Sequence, residues 1–208
     1  WTGPYWLSNP EAYKKANEII HSMKEDFAQA SAIINIVKNY EDIEVGLREN
    51  KLNVIIGMEG LAHIGDRLGL IESYYNTIGL RHVSLTWNEK NMLASGVDDP
   101  EGGLTKLGRK AVEKIEELGI LLDVSHLNEK SFWDVIEVAS GPIIASNSNA
   151  KKLANVKRNL SDEQLIAIAE TGGLVGINAC SSFVSSHVEK QTIEGLIDQI
   201  DYIKNLIG

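Results

Sequence analysis

The sequence has 208 residues, which is enough for one domain with a sizeable hydrophobic core. It contains 20 Lys and Arg residues against 29 Asp and Glu residues, which gives a formal net charge of −9 at pH 7. This acidic balance argues against nucleic-acid binding, which usually requires a basic surface. No apolar run reaches the roughly 20 residues that span a bilayer. The single cysteine, Cys180, excludes an internal disulfide and predicts a reduced, cytoplasmic protein.

Short apolar segments alternate with amphipathic segments along the chain. A first helix is predicted from Asn9 and Pro10, because Asn is a favoured N-cap residue and Pro suits the first helical position. A second helix is predicted at residues 41–49, and five strand–helix units then follow in strict alternation. The predicted strands cover residues 53–58, 82–86, 120–124, 143–145 and 174–178, and the predicted helices cover residues 68–77, 105–118, 128–139, 161–171 and 192–206.

Alternation of helices with wholly apolar strands is typical of a parallel sheet that is covered on both faces. A doubly wound sheet and a closed (β/α)8 barrel both meet this description. No G-x-G-x-x-G motif follows any predicted strand, so a dinucleotide-binding fold has no support. In both architectures the active site lies at the carboxyl ends of the strands. Polar residues occupy these positions in the sequence: Glu59, Thr86, Ser125, His126, Ser146, Asn147 and Asn178.

Two of these residues are candidate metal ligands. Glu59 follows a buried strand, where a carboxylate needs a partner or solvent because burying it alone is costly; an exposed loop acid is the alternative. His126 ends the run at residues 121–126, and an imidazole at the rim of a parallel sheet is a suitable zinc ligand. A hydrogen-bonded rim histidine that binds no metal is equally consistent with this pattern. Asp123 lies within the same strand, where it either points away or supports the ligand.

Three further residues are candidates for weaker reasons. Asn147 follows the next strand, but its neutral side chain is a poor zinc ligand and indicates hydrogen bonding. Arg158 lies in a polar loop before a helix, and a fixed guanidinium suits a substrate carboxylate; a solvated surface charge is the alternative. His63 lies close to Glu59 in the sequence and stays a candidate on that ground.

Five motifs occur in a characteristic order and cover roughly residues 50–207. They are GMEG at 57–60, SLTWN at 84–88, DVSH at 123–126, ASNSNA at 145–150 and RNL at 158–160. In this order and spacing they resemble the renal (membrane) dipeptidase family of zinc peptidases, in its bacterial form.

The resemblance implies a (β/α)8 TIM barrel of the metal-dependent hydrolase type and a zinc-dependent dipeptidase. In such an enzyme, two zinc ions and a metal-activated water hydrolyse the peptide bond of a dipeptide. The resemblance gives Glu59 the role of the catalytic carboxylate that bridges the two ions, and it makes His126 a ligand of one ion. Arg158 holds the substrate carboxylate in this scheme, and Trp87 and Asn147 also face the substrate. Family members often dimerise, so a homodimer is expected.

Three features depart from the family pattern. The His-x-Asp pair of its first strand is absent, and the chain ends at Gly208, about where the strand with the family's last active-site aspartate begins. Asn147 stands where the family has a second histidine ligand, and Trp87 stands where some members have a histidine. We therefore expect one domain over residues 1–208, with an incomplete barrel that lacks its first and last strands. The alternative function is a catalytically impaired, dipeptidase-like barrel whose metal site is weakened at Asn147.

Overall fold

The computed structural model describes residues 9–208, so that residues 1–8 of the expected domain lie outside the described part of the chain. Two 3-10 turns, Ala62–Ile64 and Val188–Lys190, accompany the strands and helices. The main elements are, in chain order, α1 (Asn9–Gln29), β1 (Ile34–Ile36), α2 (Tyr40–Arg48), β2 (Leu52–Val54), β3 (Ile56–Glu59), α3 (Gly69–Ile78), β4 (Leu80–Ser84), α4 (Lys106–Glu117), β5 (Leu121–Asp123), α5 (Glu129–Val138), β6 (Ile143–Ala145), α6 (Asp162–Glu170), β7 (Leu174–Val175), α7 (Ser181–Val184) and α8 (Ile193–Ile207).

All strand pairs in the described part of the chain are parallel. The main sheet has the order β3-β4-β5-β6-β7, which is the order of the strands in the chain. Helices α3 to α6 each connect one strand of this sheet to the next. This sequential arrangement of parallel strands and crossover helices is the one that closes into a barrel, and it differs from a doubly wound sheet, whose strand order reverses.

The segment predicted as one strand at residues 53–58 forms two strands, which are separated by Ile55. The first, β2, pairs with β1, with Asn35 opposite Asn53, whereas β3 pairs with β4. The sequence pattern does not predict β1, because its central Asn35 has a low strand propensity. Long-range hydrogen bonds hold this strand instead: Asn35 Nδ2 donates to Asn53 Oδ1 at 2.8 Å and to the carbonyl oxygen of Asp42 at 2.6 Å.

The helix ends follow the local signals of the sequence. Ser161 and Gln164 form the predicted capping box at the start of α6, in which the Ser161 side chain accepts from the Gln164 amide and the Gln164 side chain accepts from the Ser161 amide. Asn128 caps α5 by accepting from the Ser131 amide at 2.7 Å. Gly79 ends α3 in the left-handed conformation, with φ of 77°, as a glycine at this position commonly does.

One apolar core lies between the main sheet and its helices. Its largest fully buried side chains are Phe132, Leu61, Ile64, Ile71, Leu80, Leu85, Leu93, Ile115, Leu122, Ile143, Leu165 and Ile168. Glu59 lies opposite Ser84 in the sheet register, and Ser84 lies opposite Asp123. The loops that follow β3, β4, β5 and β6 therefore leave the sheet side by side at one edge. Within residues 9–208, no helix has both the length and the apolar character required to cross a membrane.

Candidate functional site at the carboxyl ends of the strands

The structure brings Glu59 and His126 into direct contact. Glu59 is the last residue of β3, and His126 lies three residues after the end of β5. The Nε2 atom of His126 lies 2.8 Å from Glu59 Oε1. This hydrogen bond between His126 and Glu59 is the main reason that the pKa of Glu59 falls to about 2, and it outweighs the opposing effect of burial. The carboxylate is therefore ionised across the neutral range.

A hydrogen bond at Nδ1 orients the His126 ring from the side opposite Glu59. Its Nδ1 atom lies 2.8 Å from Asn88 Oδ1, and the ring packs against Trp87 with 5.9 Å between the ring centroids. If Nδ1–H donates to Asn88, then Nε2 faces the carboxylate of Glu59, and either a proton or a cation has to bridge these two atoms. A hydrogen bond that fixes the far nitrogen of the ring is the usual companion of a metal-ligating histidine.

The backbone at His126 adopts a conformation that is rare for a residue with a side chain. Its φ is 73°, and only Asn50 shares a positive φ among the non-glycine residues of the described chain. Such strain persists where surrounding contacts hold the residue in place, and it is found frequently at functional sites. At this residue the carbonyl oxygen of His126 accepts from the Val97 amide at 3.0 Å, which ties the residue to the loop after β4.

Asn147 lies between Glu59 and Arg158. Its Nδ2 atom donates to Glu59 Oε1 at 3.2 Å, and its Oδ1 atom accepts from Arg158 Nη2 at 2.8 Å. The Nδ2 and Oδ1 atoms of the Asn147 side chain thus each form a hydrogen bond with a charged side chain. The side chain acts as a neutral link at the position where the family resemblance implies a second histidine ligand. Its proposed contact with a substrate stays a prediction.

Arg158 is a buried cation, with 7% of its surface exposed. Among residues 9–208, no carboxylate lies within ion-pair distance of its guanidinium. Its hydrogen bonds run to the side-chain and main-chain oxygens of Asn147, at 2.8 Å and 3.3 Å. Burial lowers the pKa of Arg158, and the negative charges of Glu59 and Asp123 oppose this effect. A guanidinium has five N–H donors, so most of those of Arg158 have no acceptor among residues 9–208 and are available to an anionic ligand.

The loop after β4 covers the site from one side. Trp87, at its start, contacts the His126 ring. Gly60 has a φ of 87° and lies so close to this loop that a Cβ atom would be 3.1 Å from the Trp87 amide nitrogen. Further along the loop, Asp98 forms an ion pair with Lys157, the neighbour of Arg158. The loop is therefore linked to the segment that carries the buried guanidinium.

Glu59 and His126 fit one zinc ion as two of its ligands. Zinc ligand atoms at about 2.0–2.1 Å from a tetrahedral ion lie roughly 3.3 Å apart. The 2.8 Å between Glu59 Oε1 and His126 Nε2 has to widen by only about half an ångström. A catalytic zinc usually has three protein ligands, whereas no group of three His, Cys, Asp or Glu side chains suited to a metal occurs within the described residues. At the second position, the Asn147 amide does not supply a ligand equivalent to histidine.

His63, the remaining histidine candidate, is separate from this network. It is fully buried in the apolar core, and among residues 9–208 neither ring nitrogen has a hydrogen-bond partner. Its ring packs against Tyr74 at a centroid distance of 5.7 Å. Burial, assisted by the positive charge of Arg67, lowers the pKa of His63 to about 4. The imidazole is therefore neutral at pH 7 and behaves as a core side chain.

The burial of His63 predicts acid sensitivity. Because its pKa is about 4 in the folded protein and about 6.5 in the unfolded chain, the unfolded state binds more protons between these values. The free energy of unfolding should then fall as the pH drops from above 6.5 to below 4, by up to roughly 3 kcal/mol. Urea unfolding of the wild type and His63→Leu across this range measures the difference. His187→Leu, at an exposed histidine, is the control; identical pH profiles for wild type and His63→Leu would contradict the prediction.

Sequence reasoning assigned no role in the site to Asn88 or Ser125, although Ser125 was among the polar residues at the strand ends. Asn88 orients His126 from the far side of the ring, and Ser125 accepts from the Asn147 amide at 3.2 Å through its hydroxyl. Both residues lie directly beside predicted site residues, and this adjacency was the available signal. Their side chains reach the site through contacts with residues that are distant in the sequence, which a sequence pattern does not encode.

The fold and the position of this network define the class of protein. The fold is that of a (β/α)8 barrel of the metal-dependent hydrolase type, and the network lies at the strand ends where such barrels carry their active sites. The chain belongs to the family described as membrane dipeptidase (Peptidase family M19), whose family model matches residues 5–208.

Relatives and solved structures agree with this assignment. An uncharacterised protein from the PQQ-III 3′ region of Acinetobacter calcoaceticus is 30% identical over 196 residues, which cover 89% of this chain and 62% of that protein. The dipeptidase tcpJ of Claviceps purpurea is 26% identical, with coverage of 98% and 51%. A metallopeptidase of Rhodobacter sphaeroides, solved with a phosphinate mimic of the dipeptide L-Ala-D-Ala, superposes with a TM-score of 0.89 at 27% identity, covering 97% of this chain and 60% of that one. The chain thus spans about 60% or less of the length of these three proteins.

Proposed function

We propose that this protein is a zinc-dependent dipeptidase, which hydrolyses the peptide bond of a dipeptide. The observation that carries the proposal is the buried guanidinium of Arg158, which lies one side chain away from the Glu59–His126 pair. A dipeptide has a free carboxylate close to its single peptide bond. The short separation between a fixed cation and a candidate metal site therefore matches the short separation between the carboxylate and the peptide bond of a dipeptide.

Each side chain of the site has its own role in binding the substrate or the metal. Arg158 binds the substrate carboxylate through charge-assisted hydrogen bonds and so sets the distance from the carboxyl end to the reacting bond. Glu59 and His126 hold the metal, with Asn88 fixing the His126 ring. When bound, zinc supplies Lewis-acid polarisation of the peptide carbonyl. Trp87 covers the His126 side of the site and limits the access of bulk water there.

The test of this proposal uses the full-length protein that contains this sequence. Purified protein is incubated with L-Ala-L-Ala, with its C-terminal amide and with an Ala tripeptide, before and after removal of metal by a chelator. We expect hydrolysis of the dipeptide alone, loss of activity on chelation and recovery on addition of zinc. Equal hydrolysis of the amidated dipeptide, or full activity without metal, contradicts the proposal.

The number of zinc ions is a separate question, and the two-ion site implied by the family resemblance stays a prediction. Asn147 takes part in hydrogen bonds to both Glu59 and Arg158 instead of presenting an imidazole. Asn147→His adds a nitrogen ligand of the type zinc prefers, and we expect it to raise the zinc content per chain. Elemental analysis after dialysis measures this content, with Asn147→Gln as the control that keeps an amide. Equal zinc content in the wild type and Asn147→His contradicts this expectation.

A second candidate function rests on the same residue. If the Glu59–Asn147–Arg158 link replaces a metal position, the protein is a dipeptidase-like barrel that binds dipeptides without efficient hydrolysis. Calorimetric binding of a dipeptide to protein that shows no turnover with added zinc would favour this candidate. A homodimer and a cytoplasmic location, both expected from the sequence, are part of the proposal; sedimentation of the purified protein tests the first.

A further inference from the structure

The buried carboxylate of Asp123 forms hydrogen bonds with several groups at the strand ends, next to the candidate site. Asp123 is the last residue of β5 and is 2% exposed. Its Oδ1 atom accepts from the backbone amides of Ser125 and Ser146 at 2.8 Å and 3.1 Å. Its Oδ2 atom accepts from the Ser146 hydroxyl at 2.5 Å and lies 2.9 Å from His82 Nε2. Four groups on three different strands or loops therefore converge on one side chain.

These bonds hold residues near the start of the loops after β5 and β6. Ser125 directly precedes His126, and Ser146 directly precedes Asn147. The two loops are also joined to each other, since the backbone amide of Asn147 donates to Ser125 Oγ at 3.2 Å. The carboxylate thus ties Ser125, two residues after β5, and Ser146, the first residue after β6, to the end of β5. The next residue in each loop is one that contacts Glu59.

The strained backbone of His126 requires such restraint. A non-glycine residue with a φ of 73° is stable only when neighbouring contacts outweigh the local cost, which is of order 1–3 kcal/mol. The bond from the Ser125 amide to Asp123 fixes the residue before His126, and the bond from the Val97 amide to the His126 carbonyl fixes the residue itself. Loss of the first restraint would allow the backbone to relax and the imidazole to turn away from Glu59.

We propose that Asp123 is a positioning residue, which sets the directions of His126 and Asn147 toward Glu59 through the backbone amides of Ser125 and Ser146. The catalytic consequence rests on the proposed dipeptidase function, whereas the geometric consequence does not. The charge state of the residue suits this role: burial alone raises the pKa of Asp123, but hydrogen bonds from His82, Ser146 and the two amides outweigh burial and hold it below its usual value.

Asp123→Ala and Asp123→Asn together test the proposal. Asparagine can keep an oxygen against the two backbone amides and turn its amino group toward Ser146 and His82, both of which can accept, whereas alanine leaves both amides without an acceptor. We expect zinc affinity, measured by competition with a chelator, to fall about 10–100-fold in Asp123→Ala and to recover most of this loss in Asp123→Asn. Equal losses in both variants, or no loss in Asp123→Ala, overturn the proposal.

Asp134→Ala is the matched control. Asp134 also accepts a backbone amide, that of Leu104 at 2.9 Å, but it lies on α5 away from the site. This variant should lose stability to urea without a change in zinc affinity. A general loss of stability therefore does not explain a drop in zinc affinity that occurs only at position 123, and an equal drop in Asp134→Ala overturns the proposal.

A metal-free measurement separates failure of this inference from failure of the proposed function. If the wild type neither binds zinc nor hydrolyses dipeptides, the dipeptidase proposal is wrong. The ring-nitrogen resonances of His126, recorded by NMR in metal-free protein, still report its contacts with Glu59 and Asn88. We expect them to move in Asp123→Ala and to stay in place in Asp134→Ala. Unmoved resonances in Asp123→Ala overturn the positioning role. If Asp123→Ala does not fold, Asp123→Leu takes its place: it fills the buried volume but also leaves the amides of Ser125 and Ser146 without an acceptor, and the same shift of resonances is expected there.

Discussion

Glu59→Gln is expected to lower the kcat of dipeptide hydrolysis by about 10³-fold or more, because it removes the only carboxylate in contact with His126 in the described chain. Glutamine has nearly the same shape and can still accept hydrogen bonds from His126 and Asn147. Its neutral side chain, however, no longer attracts a cation to the position between the two ligand atoms. Steady-state kinetics with L-Ala-L-Ala and zinc measures the loss.

The fold of the Glu59→Gln variant should be unchanged, since Glu59 is half-exposed and the substitution preserves volume. Its urea unfolding curve is therefore expected to stay close to that of the wild type, with zinc content reduced. Glu113→Gln, on the exposed face of α4, is the matched control and should leave activity intact. Retention of more than a tenth of the wild-type kcat by Glu59→Gln would refute the metal-binding role.

Arg158→Met is expected to lower kcat/KM for dipeptides by about 10²–10³-fold, because one or two charge-assisted hydrogen bonds to the substrate carboxylate are lost, each worth roughly 1.5–3 kcal/mol. The C-terminal amide of the same dipeptide lacks this carboxylate, so any slow hydrolysis of the amide should change little. The ratio of the two kcat/KM values is the measurement. A ratio that is unchanged by Arg158→Met would remove Arg158 from carboxylate recognition.

The same substitution should not destabilise the protein strongly. Arg158 is buried without an ion-pair partner within residues 9–208, so methionine relieves the cost of burying a charge and leaves no carboxylate unpaired at hydrogen-bond distance from position 158. Urea unfolding should give a free energy equal to or above that of the wild type. Lys157→Met is the neighbouring control: it breaks the exposed pair with Asp98, which is worth less than about 1 kcal/mol, and should leave kcat/KM nearly unchanged.

The sequence by itself determined the elements that depend on neighbours along the chain. Periodicity located the strands β4 to β7 and the helices α3 to α6 and α8 to within a few residues, but it did not predict the short helix α7 and it joined β2 and β3 into one strand. The capping box at Ser161 and the glycine at the end of α3 were readable because their partners lie within four residues. It also placed Glu59, His126 and Asn147 at the same edge of the sheet, because parallel strands in chain order align their carboxyl ends. The sequence pattern did not predict strand β1, since hydrogen bonds of Asn35 to residues elsewhere in the chain stabilise it.

Only the tertiary structure decided how these side chains are connected. The bond from Asn147 to Glu59 joins residues 88 positions apart, and the contact of His126 with Glu59 spans 67 positions. Hydrogen bonds require donor and acceptor to lie within about half an ångström of the ideal separation, and this accuracy depends on sheet register, loop conformation and rotamers together. For the same reason, three features became visible only in three dimensions: the burial of His63 without a hydrogen-bond partner among the described residues, the isolation of Arg158 from any described carboxylate, and the four bonds to Asp123.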